Sequence, residues 1–192
     1  MRKRNPAALL LVDVIHPFAF EGADRLLKQA LKTIEPIRRL REAFDAAGWP
    51  VIYCNDNFGK WRSDARAIVE ACCSARAIGA RFVRELQPRR EDYFILKPKH
   101  SAFVATPLQL LLEWAHVRRV YVAGLAGDNC VHATAVDAHT HDLQVTVVAD
   151  ATASETAARN RRALAQLEDR AAARVLDAAA AIHGLQRGSR TG

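Results

Sequence analysis

No apolar run in this chain reaches the ~18 residues that a membrane-spanning helix needs, so no membrane partner is expected. The apolar stretch 6–12, behind the basic Met1-Arg2-Lys3-Arg4, is too short for a signal-peptide core and has no small-residue cleavage site after it. There are only 4 cysteines in 192 residues, and no CxxC pair. That excludes a disulfide scaffold and points to free thiols in a reducing, cytoplasmic setting. The net charge is +7, but no run alternates basic residues with aromatics, so a nucleic-acid partner is not expected either. Internal repeats and Gly/Ser/Pro-rich linkers are also missing. The chain, 1–192, reads as one domain with a core over about 7–183 and a frayed tail over 184–192.

What is present is a series of short apolar runs: 7–12, 50–54, 93–96, 120–123 and 145–148. They are continuous rather than alternating, which marks strands buried on both faces and hence a parallel sheet. Between them lie segments of helical character. Residues 23–47 carry apolar side chains near a 3.6-residue period, with Pro36 expected to kink them and Gly48 to stop them. Further helices are expected over 63–75 with Ser63 as N-cap, over 107–116 with Thr106 as N-cap, and over 130–141. The Ala/Arg-rich stretch 156–180 reads as one or two more. The pattern predicts an α/β fold: a three-layer α/β/α sandwich around a mostly parallel sheet of five or six strands.

In such a sheet the chemistry gathers at the carboxyl ends of the strands. Asp13 ends the first apolar run, Lys97 and Lys99 follow the third, and Cys130 follows the fourth after a glycine-containing turn. A carboxylate at the end of a buried strand needs a partner or a function. A thiol at the start of a helix meets unpaired N–H groups, which would lower its pKa and could hold an oxyanion. Cys54 lies within a strand, while Cys72 and Cys73 lie mid-helix; these three read as packing residues.

Three segments carry a resemblance. They are Leu10-Leu11-Val12-Asp13-Val14 with Phe18, then residues 96–103 (LKPKHSAF), then residues 122–131 (VAGLAGDNCV). In order and spacing the chain resembles the isochorismatase-like cysteine hydrolases, a family that includes nicotinamidases and N-carbamoylsarcosine amidase. The resemblance implies an isochorismatase-like fold and a catalytic triad of Asp13, Lys97 and Cys130, with Lys97 rather than Lys99 as its lysine. It also implies a cis peptide between Leu125 and Ala126, and an oxyanion hole from the N–H groups of Ala126 and Cys130. The implied reaction is hydrolysis of a small amide, imide or carbamoyl C–N bond through a thioester. The alternatives are hydrolysis of an isochorismate-type vinyl ether, or a non-catalytic binding protein on the same fold. Phe18 and Trp61 are candidate substrate-binding residues, by resemblance in position and because both sit in loops above strand ends, and Asn57 is a candidate to orient a polar group of the substrate.

Two departures from the family's pattern stand out. Nicotinamidase-type members hold a metal through an Asp and several His after the second strand, whereas residues 55–64 here contain no histidine, so no metal and no other cofactor is expected. Ile15 stands where the family commonly has Gln. The family resemblance, with the Ala-rich face over 171–181, also leads to an expected homo-oligomer, a dimer or tetramer. The remaining expected partner is the small-molecule substrate.

Overall fold

The computed structural model describes residues 6–74, 76–171 and 173–190. Six strands, β1 (Ala7–Val12), β2 (Val51–Asp56), β3 (Tyr93–Lys97), β4 (Arg119–Leu125), β5 (Gln144–Ala153) and β6 (Arg174–Leu176), form one sheet in the order β3-β2-β1-β4-β5-β6. Every pairing is parallel. The first strand lies in the interior, and its alternate side chains feed two separate cores. Leu9 and Leu11 face the core filled by Leu26, Ile37, Leu40, Phe44, Phe82 and Ala181. Leu10 and Val12 face the core filled by Leu108, Leu112, Val131, Ala135, Leu164 and Leu167. That division sorts the helices into layers. α1 (Ala23–Ala30), α2 (Ile34–Ala47), α3 (Ala65–Cys73), α4 (Ala80–Glu85) and α8 (Ala178–Arg190) cover one face; α5 (Leu108–Trp114), α6 (Cys130–Thr140) and α7 (Ala157–Arg170) cover the other. A strand buried on both sides has no reason to alternate, which is why its sequence reads as an unbroken apolar run.

Several boundaries differ from the sequence reading, each for a local reason. The 23–47 segment divides at a 3₁₀ turn over Leu31–Thr33, so Pro36 falls in the first turn of α2, where a missing N–H costs little. Gly48 closes α2 with φ 60°. Asp64, not Ser63, caps α3: its carboxylate accepts the Ala67 N–H at 2.8 Å. Pro107 takes the cap position of α5, and the Thr106 hydroxyl accepts the Leu108 N–H at 3.2 Å. The 156–180 stretch is interrupted by β6, whose three residues pair with β5. α8 runs on to Arg190 through the stretch read as a frayed tail. The short α4 has no counterpart in the sequence reading.

The chain runs from β1 outward to β2 and β3, then returns to the other side of β1 with β4 and continues to β5 and β6. The reversal lies between β1 and β4, and in an open parallel sheet such a switch point leaves a crevice at the carboxyl ends of the strands. Gly124 makes this junction tight. Its φ is +118°, and a Cβ there would lie 2.1 Å from the Val12 carbonyl oxygen. Only glycine lets β4 approach β1 this closely just before the turn that delivers Cys130.

Candidate active site

Asp13 follows β1 with φ 49° and is almost wholly buried. Its two carboxylate oxygens have separate partners. Oδ1 accepts the Asp56 backbone N–H at 2.7 Å, and Oδ2 pairs with Lys97 Nζ at 2.9 Å. Lys97 comes from the edge strand β3 and must reach past β2 to do so, a span of about 10 Å across two inter-strand spacings. That distance suits the long stem of lysine. The stem is fully buried, and the ammonium also donates to the Lys99 carbonyl at 3.1 Å and lies 3.8 Å from Asp56 Oδ2. Lys97 is therefore the lysine that meets Asp13, while Lys99 is exposed.

Ile15 leaves the β1 loop without a side-chain polar group, and Asn55 supplies one. Its amide donates to the Ile15 carbonyl at 2.8 Å and accepts the Ile15 N–H at 3.0 Å. This buried reciprocal pair fixes the loop beside Asp13, a role the sequence reading did not assign to Asn55.

Cys130 is the first residue of α6. Its thiol is close enough to the Asp13 carboxylate and the Lys97 ammonium to feel both charges, and Sγ lies 3.7 Å from His100 Nδ1. The peptide bond between Leu125 and Ala126 is cis. Ala126 and Cys130 line the same cavity, and Cys130 opens a helix whose first N–H groups have no intrahelical acceptor.

The electrostatics correct one expectation. The Cys130 thiol is not lowered: burial and the neighbouring Asp13 carboxylate push it up to about 12, against the pull of Lys97. Burial also raises Asp13, although Lys97 and the hydrogen bonds oppose it. Burial works against the charge on Lys97, but Asp13, Cys130 and Asp56 outweigh it, and its pKa rises. The resting arrangement is thus an Asp13–Lys97 pair beside a protonated thiol. The helix end alone does not make a thiolate here.

The cavity above this cluster has a volume of about 350 Å³, which suits a small molecule. His16, Phe20 and Phe58 form its aromatic side, with His16 edge-on to Phe58 at 5.4 Å between ring centres. Burial lowers His16 to about 4, leaving a neutral imidazole. At the rim, Arg159 pairs with Asp128 at 2.6 Å and with Glu155 at 3.3 Å. Asp56, His100 and Asn129 complete the polar lining.

The three residues expected to bind substrate do not line this cavity. Phe18 is packed into the core against Phe82 and fills the space that a Cβ on Gly79 would occupy. Asn57 is buried, and its side-chain oxygen accepts the Gly59 N–H at 3.0 Å, shaping its own loop. Trp61 is 80% exposed and borders a separate surface hollow with Lys60 and Arg62. The aromatic wall comes instead from their close sequence neighbours Phe20 and Phe58. Which aromatic of a loop turns inward depends on the loop's backbone, such as the positive φ of 50° at Phe58, and nothing in residue type announces it.

A model of the isochorismatase domain matches residues 7–180. The chain belongs to the isochorismatase family. It is 37% identical over 162 residues to the uncharacterized isochorismatase family protein YaaI of Bacillus subtilis, covering 84% of this chain and 88% of that protein. It is 31% identical over 165 residues to the probable inactive nicotinamidase At3g16190 of Arabidopsis thaliana, covering 81% of this chain and 84% of the relative. Among solved structures, N-carbamoylsarcosine amidase from Thermoplasma acidophilum superposes with a TM-score of 0.70 at 26% identity, covering 90% of this chain and 96% of that one.

Nicotinamidase-type members of the family imply a metal. The residues here do not fit one: among the described residues no group of three or more His, Cys, Asp or Glu side chains is arranged to hold an ion. No helix of the described residues is long and apolar enough to cross a membrane.

Proposed function

We propose that this chain is a cysteine hydrolase that opens the C–N bond of a small amide, imide or carbamoyl compound through a thioester on Cys130. The observation that carries this reading is the convergence of Asp13, Lys97 and Cys130 from three strand ends, with Asp13 and Cys130 lining one small cavity and Lys97 buried behind them. The raised Asp13 carboxylate is a usable base for a thiol that does not ionise by itself. As the sulfur attacks the substrate carbonyl, its proton passes to Asp13, and Lys97 faces the developing thiolate. In this reading the N–H groups of Ala126 and Cys130, two residues that line the cavity, hold the tetrahedral oxyanion, a contribution of about 2.7–4 kcal/mol for one such donor. Asp13 then returns the proton to the leaving nitrogen, the C–N bond breaks, and water hydrolyses the thioester. In this reading the chain is active without a metal.

A vinyl-ether hydrolysis would require protonation at carbon and would leave the thiol without a task. The reading as a non-catalytic binding protein has one point in its favour, the inactive designation of the Arabidopsis relative. Against it, this chain keeps Asp13 and Lys97 paired at 2.9 Å within electrostatic reach of the Cys130 thiol, beside an open cavity. The test is ammonia release from a panel of small primary amides and carbamoyl compounds. The wild-type protein is expected to turn over at least one of them, and C130A none, with an unchanged circular dichroism spectrum. Turnover retained in C130A excludes covalent catalysis at that sulfur; no turnover by the wild type on any of them favours the binding protein.

A further inference from the structure

We propose that the groove between α6 and α7, beside the candidate active site, binds a small oxyanion, a phosphate or carboxylate group held by Arg162, His132 and Gln166. The groove is a hollow of about 280 Å³ lined by Asp128, His132, Arg159, Arg162, Ala163 and Gln166. It is separate from the cavity over Cys130 and shares Asp128 and Arg159 with it. The proposal stands whether or not Cys130 is a nucleophile.

The lining follows from helix geometry. Arg159, Arg162 and Gln166 stand at i, i+3 and i+7 in α7, which puts them on one face. Ala163 is buried among them, and its small side chain makes a floor instead of filling the groove. Across from them, His132 lies in the first turn of α6, at the positive end of that helix. The backbone at the start of α7 is already capped, with the Thr156 hydroxyl accepting the Arg159 N–H at 3.2 Å. The donors on offer are therefore side chains.

The charges in the hollow do not cancel. Asp128 is its one lining carboxylate, and Arg159 already holds it: Nε donates to Asp128 Oδ2 at 2.6 Å, while Nη1 lies 3.3 Å from Glu155. Arg162 pairs with no carboxylate among the described residues, and the side chains of Arg162, His132 and Gln166 make no hydrogen bond there. A guanidinium, an imidazole and a carboxamide thus meet one hollow from two helices with their donors unused and one positive charge unbalanced. A cation would be repelled, and an apolar group would leave every donor unpaired. An oxyanion accepts from all three, and a guanidinium meets two of its oxygens at once.

The test uses the full chain with inorganic phosphate as probe. Titrated by calorimetry at constant ionic strength, with chloride as the balancing anion, wild type is expected to bind phosphate in a single saturable step. Arg162 is exposed, so R162Q is expected to fold; it should weaken that binding about tenfold, the loss of one hydrogen-bonded contact to a charged group. R161Q removes a neighbouring exposed arginine that does not line the hollow, and should bind as wild type does. No saturable binding by wild type overturns the proposal. So does an R162Q that binds as wild type, or an R161Q that weakens binding as much as R162Q, since diffuse surface charge would then account for it. Phosphonoacetamide separates the two sources of the oxyanion. If it protects Cys130 from iodoacetamide in wild type and not in R162Q, the hollow receives the anionic end of a compound whose amide sits in the cavity. If it binds as phosphate does and leaves the alkylation rate unchanged, the hollow takes a free anion.

Discussion

Among the described residues, two buried ion pairs flank this sheet, and they have little in common beyond their distance. Lys97 and Asp13 meet at 2.9 Å at the carboxyl end of the strands. Arg41 and Asp92 meet at 2.7 Å, with both side chains only 4% exposed, where α2 packs over the loop that enters β3. The arginine pair is enclosed by partners that ask nothing further of it. Arg41 Nη1 donates to the Gln87 carbonyl at 3.1 Å, the guanidinium lies 5.5 Å from the centre of the Tyr53 ring, and Asp92 also accepts the Arg89 N–H at 2.6 Å. The lysine pair has a protonated thiol on one side and an open cavity above it. Burial raises the cost of separating either pair. Only the second pair has a group beside it that can accept the consequence, a proton moved from sulfur to carboxylate.

The largest effect that would break this comparison comes from D13N. The amide cannot take the thiol proton, so turnover should fall ~10²–10⁴-fold, the range of a lost general base. The same change should speed alkylation of Cys130 by iodoacetamide at pH 8. The sign follows from the causes of the raised thiol pKa: the Asp13 carboxylate pushes it up and Lys97 pulls it down. Removing the carboxylate leaves the ammonium unopposed, lowers the thiol's pKa and increases the thiolate fraction. In the wild type, with the thiol near 12, alkylation should instead climb steadily from pH 7 to 10 without a plateau. A D13N variant slower in both turnover and alkylation would show that Asp13 serves to shape the site rather than to move a proton.

The next effect is on stability rather than chemistry. R41M leaves the Asp92 carboxylate buried without its cation, a loss of about 3–5 kcal/mol. The denaturant midpoint should fall accordingly, while the kcat/KM of the folded fraction stays that of wild type. A variant with normal stability and reduced turnover would make the arginine pair part of the site, and the contrast between the two pairs would fail.

How much of this was legible in the sequence follows the same division between floor and rim. Asp13, Lys97 and Cys130 could be listed as polar residues at or after strand ends, because strands buried on both faces announce themselves as apolar runs; their grouping, and Lys97 rather than Lys99, came from the family resemblance. The Gly124 turn could be located for the same reason. The direction of the thiol pKa could not, because it depends on how deeply the sulfur is buried and how close the carboxylate lies. β6 was missed because a three-residue strand inside an Ala/Arg-rich stretch has no pattern of its own. His100 was present in a recognised segment, yet its 3.7 Å approach to Cys130 lies in a loop tied to Thr134, a residue distant in the chain, as well as to nearby Lys97.

The rim also yields the smallest expected effect. Phe58 and Trp61 stand three residues apart in one loop, and residue type alone favours neither as a binding residue. Phe58 packs on His16 and lines the cavity, whereas Trp61 is largely in solvent beside a different hollow. F58A should therefore raise KM roughly tenfold or more through lost apolar contact with the substrate. W61A should change stability by no more than about 0.5 kcal/mol, as expected for an exposed side chain, and leave KM where it was. If W61A raised KM and F58A did not, the loop would close over the substrate in a different arrangement, and the wall would be built from the more exposed ring after all.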